Sequence, residues 1–362
     1  TMQPGDHTPN YTSLTDVTRH KGPTMVTKVQ YTVDTELSLK LFQEGASAQE
    51  NFDSSIAGKC RDGEFGIFYQ MDRLEAYGLK GVFFVDPFPA LVYGPGVVAR
   101  IVEPILKRGH EVQLHIHTEW LEFARDHELA HLRGRNIADF PLDDQVRLLD
   151  QARALLMIAG APKPTAFRAG NFGANDDTLR ALSALSVPYD SSFNPAFLAG
   201  ECDIDLPPET PPFSEHMGVG IIPVSVIEDR PGSIRAAQLC ALSAWEMRDG
   251  LRHAAEHDWP CFTIVSHSFE LLSRDRTRVN PIVQRRFESM CLNIAEQTRL
   301  EGAGFEALQP QRRASLAKLP ANLVRTALRY GEQAVSRIRY EVGILSTLFL
   351  NEFAAFESVV AI

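Results

Sequence analysis

Three side chains that commonly bind metal lie within five residues of one another, at His115, His117 and Glu119. The stretch before them alternates, so that Val112 and Ile116 share one face of a strand and both histidines share the other. Zinc binds imidazole nitrogen and carboxylate oxygen, and a catalytic zinc site keeps one position open for water. A histidine pair in a strand is more often two hydrogen-bonded polar residues than a metal site, so this stretch alone leaves two interpretations.

A first strand is predicted over residues 27–35, and two acids, Asp34 and Glu36, stand at its end. Because side chains alternate along a strand, both carboxylates leave it on the same side. One carboxylate of such a pair can hold a metal while the other takes a proton from water. The alternative is a solvated strand end or a helix cap, which Asp-Thr-Glu also fits.

Two further strands carry isolated polar residues, Arg168 within residues 165–170 and His267 at the end of residues 261–267. An arginine in a short apolar strand is costly to bury without a partner, so we expect a carboxylate beside it. A histidine at the carboxyl end of a strand can protonate a leaving group. A single histidine is also common as an ordinary core or surface residue.

The elements that must position these residues alternate between strands and helices. This order predicts parallel strands with helical crossovers, and the carboxyl ends of such strands form one rim where ligands bind. The predicted helices are residues 65–77, 97–108, 142–159, 176–185, 234–257 and 280–302, and the other predicted strands include 81–85, 188–193 and 220–227. Residues 37–62 and 194–218 are predicted to be rim loops.

Composition places the chain among ordinary globular proteins, since its 362 residues are 44% hydrophobic and 23% charged. A formal net charge of -10, with no basic stripe in the first 300 residues, argues against a nucleic-acid partner. The five cysteines include no Cys-x-x-Cys pair, so we predict reduced thiols in a cytoplasmic protein. We predict neither a signal peptide nor a transmembrane segment, because no 18-residue apolar run occurs.

The two ends of the chain differ from its middle. Residues 1–26 lack periodicity and predict a loose polar arm, whereas residues 309–362 combine arginines with apolar residues at helical spacing. We expect this helical C-terminal extension to pack against the main domain or against another copy, which would make a homo-oligomer. Peripheral contact with a membrane surface is the alternative interpretation.

In order and spacing, several of these segments resemble the polysaccharide deacetylase (NodB-homology) family. They are Val33–Glu36, Gly109–Trp120, Phe167–Gly170 with Tyr189–Ser192, and Ile264–His267, and the resemblance covers about residues 27–308. It implies a distorted (β/α)7 barrel over those residues. It also implies a hydrolase that removes the acetyl group of an N-acetylated sugar with one divalent metal, usually zinc.

The resemblance implies a role for each matching residue. Asp34 corresponds to the general base, Glu36 to a metal ligand, Arg168 to the arginine that orients the base, and His267 to the general acid. The metal, helped by backbone N–H groups, would stabilise the oxyanion of the attacked carbonyl.

The chain departs from the family in its second motif, which is His-x-x-x-His there and His115-x-x-x-Glu119 here. The ligands would then be Glu36, His115 and Glu119, or else His117 would take the missing place. Two carboxylates with one histidine would favour a harder metal or a weaker zinc site.

Substrate contacts and competing functions remain open at the level of sequence. Trp120, Phe172 and Trp245 are candidates for stacking on a sugar face, with Asn171 beside them in the predicted loop. One alternative function is a small-molecule amidohydrolase, resembling allantoinase and metal-independent in some branches. Another is a catalytically inactive carbohydrate-binding protein, which the loss of a family histidine at Glu119 suggests. If residues 37–62 close on Trp120, a small substrate is favoured over a sugar chain.

Overall fold

The computed structural model describes residues 25–124, 128–198, 200–310 and 316–341. Residues 1–24 of the predicted arm and residues 342–362 of the predicted extension lie outside these ranges. The strands are β1 Thr27–Thr35, β2 Lys59–Cys60, β3 Gly63–Glu64, β4 Val82–Val85, β5 Glu111–Ile116, β6 Ala166–Ala169, β7 Tyr189–Asp190, β8 Ser214–His216, β9 Val219–Ile221, β10 Val226–Arg230, β11 Ser233–Ala236, β12 Cys261–His267 and β13 Leu300–Gly302. The helices are α1 Leu39–Gln43, α2 Ala48–Ser55, α3 Ile67–Ala76, α4 Ala90–Tyr93, α5 Gly96–Lys107, α6 Leu142–Ile158, α7 Asp176–Ala184, α8 Ala244–Glu256, α9 Pro281–Glu296 and α10 Leu323–Ser336.

The main sheet is a curled sheet of parallel strands. Within the described ranges its order is β12-β1-β4-β5-β6-β7-β9, and the antiparallel strand β8 adds to the β9 edge. β13 runs beside the first residues of β1, while β4 pairs with the last residues of β1. Helices α3, α5, α6 and α7 connect successive strands, as the alternation predicts. The predicted distorted (β/α)7 barrel is confirmed.

Side-chain alternation divides the core into two layers. Odd-numbered β1 residues such as Val33, together with Phe83 and Leu114, face the helices and join the large outer core. A smaller cluster fills the inside of the curled sheet, where Val82 and Phe84 of β4 meet residues from other strands. The polar residues of the same inward faces therefore lie at the carboxyl ends of the strands, above this apolar layer.

The segment 37–62 was predicted as a loop, and that prediction is wrong. It forms α1, α2 and β2, and β2 pairs with β3 directly after the segment. Each helix begins at a serine cap, Ser38 and Ser47, and Ser47 forms a reciprocal capping box with Glu50. The Ser-x-x-Glu spacing is a helix-start signal that the polar composition obscured.

Three other predicted elements are shorter than expected. The strand of residues 220–227 is divided into β9 and β10, because Pro223 lies between them and has no N–H for a ladder. The helix of residues 234–257 begins only at Ala244, after the capping residue Ser243, and the preceding residues form β11. The last predicted helix ends at Glu296.

In the predicted C-terminal extension, α10 packs on the barrel with its polar side. Arg325, Thr326, Arg329 and Ser336 are buried, whereas its large apolar residues are exposed. All five cysteines are free. Among the described residues, no helix combines the length and the apolar composition needed to cross a membrane.

Candidate active site

The strand register brings four of the sequence-predicted residues to one rim. Asp34 of β1 lies opposite His267 of β12, and His115 of β5 lies opposite Arg168 of β6. Glu36 follows β1 directly. Because these strands are parallel, their carboxyl ends coincide, and the inward side chains converge above the apolar interior.

Arg168 and Asp34 form a buried ion pair. Arg168 is fully buried, and its Nη1 atom donates to Asp34 Oδ1 at 2.7 Å and to Thr32 Oγ1 at 2.8 Å. Its Nε atom donates to the Ser191 carbonyl at 3.2 Å, and its guanidinium lies 4.3 Å from the centre of the Phe84 ring. Asp34 is thus the carboxylate expected beside Arg168, and the guanidinium fixes its orientation.

Glu36, His115 and His117 bring one ligand atom each within 4.8 Å of one another. His115 Nε2 lies 3.5 Å from Glu36 Oε2, and His117 Nε2 contacts the same oxygen. The Nδ1 atom of His115 donates to the Arg168 carbonyl at 2.7 Å. Anchoring of Nδ1 leaves Nε2 as the metal-binding nitrogen, the usual arrangement for a histidine ligand.

The same three residues are coupled by charge. Burial opposes a charge on Glu36, but His117 and His115 hold the pKa of Glu36 well below its ordinary value. Burial likewise disfavours a charged His117, yet Glu36 and Glu119 raise its pKa well above the ordinary value. Two imidazoles and one carboxylate are a donor set found in catalytic zinc sites, so these residues fit a divalent metal.

Glu119 lies beside this group and not within it. Its Oε2 atom is 3.1 Å from His117 Nδ1, on the far side of the ring from Glu36. The reason is a 3-10 turn over Thr118–Phe123, which begins directly after His117 and turns the chain away from the strand direction. The structure therefore brings His117, and not Glu119, together with Glu36 and His115.

His267 forms an ion pair with Glu270, a residue that the sequence reasoning missed. His267 Nδ1 lies 2.8 Å from Glu270 Oε2, and Glu270 Oε1 accepts from the Cys240 N–H at 2.7 Å. Burial lowers the pKa of His267, but Glu270, with contributions from Asp34 and Glu36, raises it overall to about 9. His267 thus holds a proton at neutral pH, and a carboxylate three residues after it was the available signal.

Two more unpredicted residues shape the site. Asp86 follows β4, its Oδ2 atom has no hydrogen-bond partner among the described residues, and burial raises its pKa to about 6 against the effect of His117 and His115. Gly170 follows β6, where a Cβ atom would come within 2.8 Å of the His117 ring. Both positions directly follow the last residue of a parallel strand, as Glu36 does.

The predicted substrate contacts divide between core and surface. Trp120 is only 1% exposed, and its ring centre lies 5.7 Å from that of Phe42. It is therefore a core residue, which corrects its interpretation as a stacking surface for a sugar. Asn171 and Phe172 are partly exposed with positive φ values of 57° and 59°, a conformation rare for non-glycine residues. Trp245 is half-buried on α8.

Comparison with solved structures identifies the fold. A protein from Mycobacterium smegmatis, described as a polysaccharide deacetylase, aligns with a TM-score of 0.52 over 82% of this chain and 96% of its own, at 14% identity. The chain has the polysaccharide deacetylase fold. No model of a known protein family matches the sequence, and no curated protein matches it either.

Other structures with this type of fold align less closely. A family 4 carbohydrate esterase from Streptomyces lividans in complex with acetate has a TM-score of 0.37 at 11% identity, over 81% of this chain and 98% of its own. The peptidoglycan deacetylase PdaC from Bacillus subtilis has a TM-score of 0.35 at 11% identity, over 88% of this chain and 98% of its own. Because both scores are below 0.5, the fold assignment depends on the Mycobacterium structure.

Proposed function

We propose that the protein is a metal-dependent hydrolase that removes the N-acetyl or other N-acyl group from an N-acylated sugar. One observation carries this proposal. The possible metal ligands Glu36, His115 and His117 lie on the same rim as Asp34, which Arg168 binds. His267 lies opposite Asp34 on that rim, at the end of β12. The polysaccharide deacetylase fold supports it. A pure binding protein has no need of a base and a protonated histidine at one metal-ligand group.

The proposed reaction needs a base, an acid and a means of stabilising negative charge. When bound, a divalent cation lowers the pKa of a water molecule and polarises a carbonyl oxygen. Asp34, held by Arg168, accepts the proton of the attacking water. His267, kept protonated by Glu270, donates a proton to the departing nitrogen. We propose zinc as the metal because the ligands are two imidazoles and one carboxylate.

In this proposal Glu119 does not bind the metal itself but holds the His117 ring through its outer nitrogen. A carboxylate on the outer nitrogen of a ligand histidine fixes the ring and raises its basicity. The family histidine missing at this position is replaced by His117, two residues earlier. The loss of that histidine is therefore weak support for a catalytically inactive protein.

A small N-acyl compound, including one outside the sugars, is the second candidate substrate. Phe42 of α1 packs on Trp120, and it also lies 5.4 Å from the Phe123 ring. Phe42 thus packs on Trp120 inside the core, and this contact carries no information on the size of the substrate.

Metal content and acetate release test this function together. The protein is purified as wild type, His115→Ala, His117→Ala and Glu119→Gln, and metal is measured by inductively coupled plasma mass spectrometry. We expect near-stoichiometric zinc in the wild type, loss of zinc and activity in both histidine variants, and zinc affinity about 10- to 100-fold weaker in Glu119→Gln. Metal that is indifferent to both histidine changes would contradict the proposed site.

The choice of substrate separates the two candidates. Acetate release is compared for a methyl glycoside of N-acetylglucosamine, for its tetramer and for simple acyclic amides. Release from either sugar supports the proposal, whereas activity restricted to the amides favours the small-molecule amidohydrolase.

A further inference from the structure

The loop after His267, residues 268–280, presents an arginine that the proposed reaction does not use. Arg276 is half-buried, and its Nη1 atom donates to Ser55 Oγ at 2.8 Å. Its guanidinium lies 4.1 Å from the centre of the Phe269 ring. The Phe269 ring in turn lies 5.6 Å from the His267 ring, at an angle of 30°. Arg276 and His267 therefore lie beside the same aromatic ring.

The charge of Arg276 is not neutralised by a neighbouring acid. Among the described residues, no carboxylate forms an ion pair with its guanidinium, and its polar side-chain contact is the neutral Ser55. The nearest acids along the chain are engaged elsewhere. Asp275 accepts from Ser273 and Thr277 within its own turn, and Glu270 binds His267. A half-buried arginine without a counter-ion leaves donors available for an anionic group of a ligand.

The backbone supports a specific placement of this residue. Arg276 has φ +55°, a left-handed conformation that non-glycine residues rarely adopt. The turn is closed by the Arg276 N–H, which donates to the Ser273 carbonyl at 2.8 Å. Unusual backbone geometry of this kind is concentrated at binding sites.

We propose that Arg276 forms an anion subsite, so that the natural substrate is an N-acylated sugar carrying a carboxylate or a phosphate group. This inference rests on the proposed hydrolase function and names its substrate class. Arginine suits the task because its planar donors match both groups in a bidentate manner. A formal net charge of -10 disfavours the approach of anions, and a local arginine offsets that repulsion.

Kinetics with charged and neutral substrates test the subsite. The substrates are N-acetylglucosamine 1-phosphate, N-acetylmuramic acid and the neutral methyl glycoside of N-acetylglucosamine. We expect the wild type to prefer at least one anionic sugar, and Arg276→Gln to lower kcat/KM for it by about ten- to hundredfold through KM. The neutral glycoside should change less than threefold. Arg276→Lys should retain part of the preference, because lysine keeps the positive charge but lacks the planar guanidinium that binds an anion through two N–H groups.

The matched control is Arg274→Gln, an exposed arginine of the same turn, which should leave the preference unchanged. Equal kcat/KM for charged and neutral sugars in the wild type, or equal losses in Arg276→Gln, would overturn the subsite while leaving the hydrolase function intact. The phosphate and carboxylate substrates show which anion is recognised.

Binding of anionic sugars to the Asp34→Asn variant tests the anion subsite independently of the proposed hydrolase function. Isothermal titration calorimetry measures the affinity of the anionic sugars for Asp34→Asn and for the double variant Asp34→Asn with Arg276→Gln. We expect lower affinity in the double variant, even if the wild type releases no acetate from any sugar. That combination would remove the proposed function and keep the anion subsite. Unchanged affinity in the double variant would reject the subsite.

Discussion

The ion pair between His267 and Glu270 sets the pH range in which His267 holds its proton. The pKa of His267 is raised to about 9, so the histidine is protonated below that pH and loses its proton as the pH rises through it. Its raised pKa depends on Glu270, with Asp34 and Glu36 adding to it. We therefore expect kcat/KM to decline on the alkaline side.

Replacing Glu270 with glutamine removes the main charge that holds this proton. We expect Glu270→Gln to move the alkaline limb of kcat/KM from near pH 9 toward the ordinary histidine value of about 6.5. The measurement is a pH profile of acetate release. Glu256→Gln, an exposed acid on α8, is the control and should leave the profile in place. An alkaline limb that stays near pH 9 in Glu270→Gln would show that another group controls it.

Gly170 provides the space in which His117 lies. A Cβ atom there would stand 2.7 Å from the Ile116 carbonyl oxygen and 2.8 Å from His117 Nδ1, both closer than van der Waals contact. We expect Gly170→Ala to displace the imidazole and to weaken zinc binding at least about tenfold, as loss of ligand orientation does elsewhere.

Zinc competition with a chromophoric chelator measures this effect without relying on activity. Gly96→Ala is the matched control, because a Cβ atom at Gly96 meets nothing within 4 Å. Unchanged zinc affinity in Gly170→Ala would mean that His117, in the position that it has in the structure, is not a metal ligand.

At the scale of elements, the strands were predictable because their inward and outward faces differ in chemistry. Alternation identified β1 and β5, and an apolar run that ends in a histidine identified β12. The position of Glu119 was not predictable, since it depends on a 3-10 turn that begins at Thr118. Glu270 was missed because loop conformation, and not periodicity, brings it back to His267.

The attachment of α10 depends on a buried network of charges. Arg329 is fully buried, and its guanidinium lies 2.8 Å from Asp229 and 3.1 Å from Glu246. Asp229 belongs to β10, and Glu246 also caps α8 together with Ser243. One arginine therefore joins the extension to two elements of the barrel.

Removing Arg329 leaves the buried Glu246 carboxylate without a cation among the described residues, while Asp229 keeps Arg235 as a partner. We expect Arg329→Ala to lower the free energy of unfolding by about 3–5 kcal/mol, because uncompensated buried charges are costly. Urea denaturation followed by circular dichroism measures the loss. Arg180→Ala, which removes an exposed ion pair with Asp177 on α7, should cost about 1 kcal/mol or less. Similar midpoints for the two variants would contradict a structural role for the network.

At the scale of the whole molecule, α10 has an inverted polarity. Its polar residues are buried against the barrel, and its exposed apolar residues are Leu323, Val324, Leu328, Tyr330 and Val335, followed by Ile338. Positions 324, 328, 331, 335 and 338 follow helical spacing and form one stripe. Gly331 and Ala334 on or beside it allow another helix to approach closely. Such a face is typical of an interface.

We expect this stripe to pair with the same stripe of a second copy, because two copies related by a twofold axis bury identical faces against each other. Light scattering after size-exclusion chromatography should give twice the monomer mass for the wild type and the monomer mass for Leu328→Glu with Val335→Glu. Ile158→Glu changes an exposed apolar residue on α6 and should leave the mass doubled. The acetate release of the same variants should also be measured, because α10 contacts the loop of the proposed anion subsite. The Tyr340 carbonyl, just beyond α10, accepts from the Arg274 N–H in the loop that carries Arg276. A monomeric wild type at micromolar concentration would contradict the pairing of the two stripes.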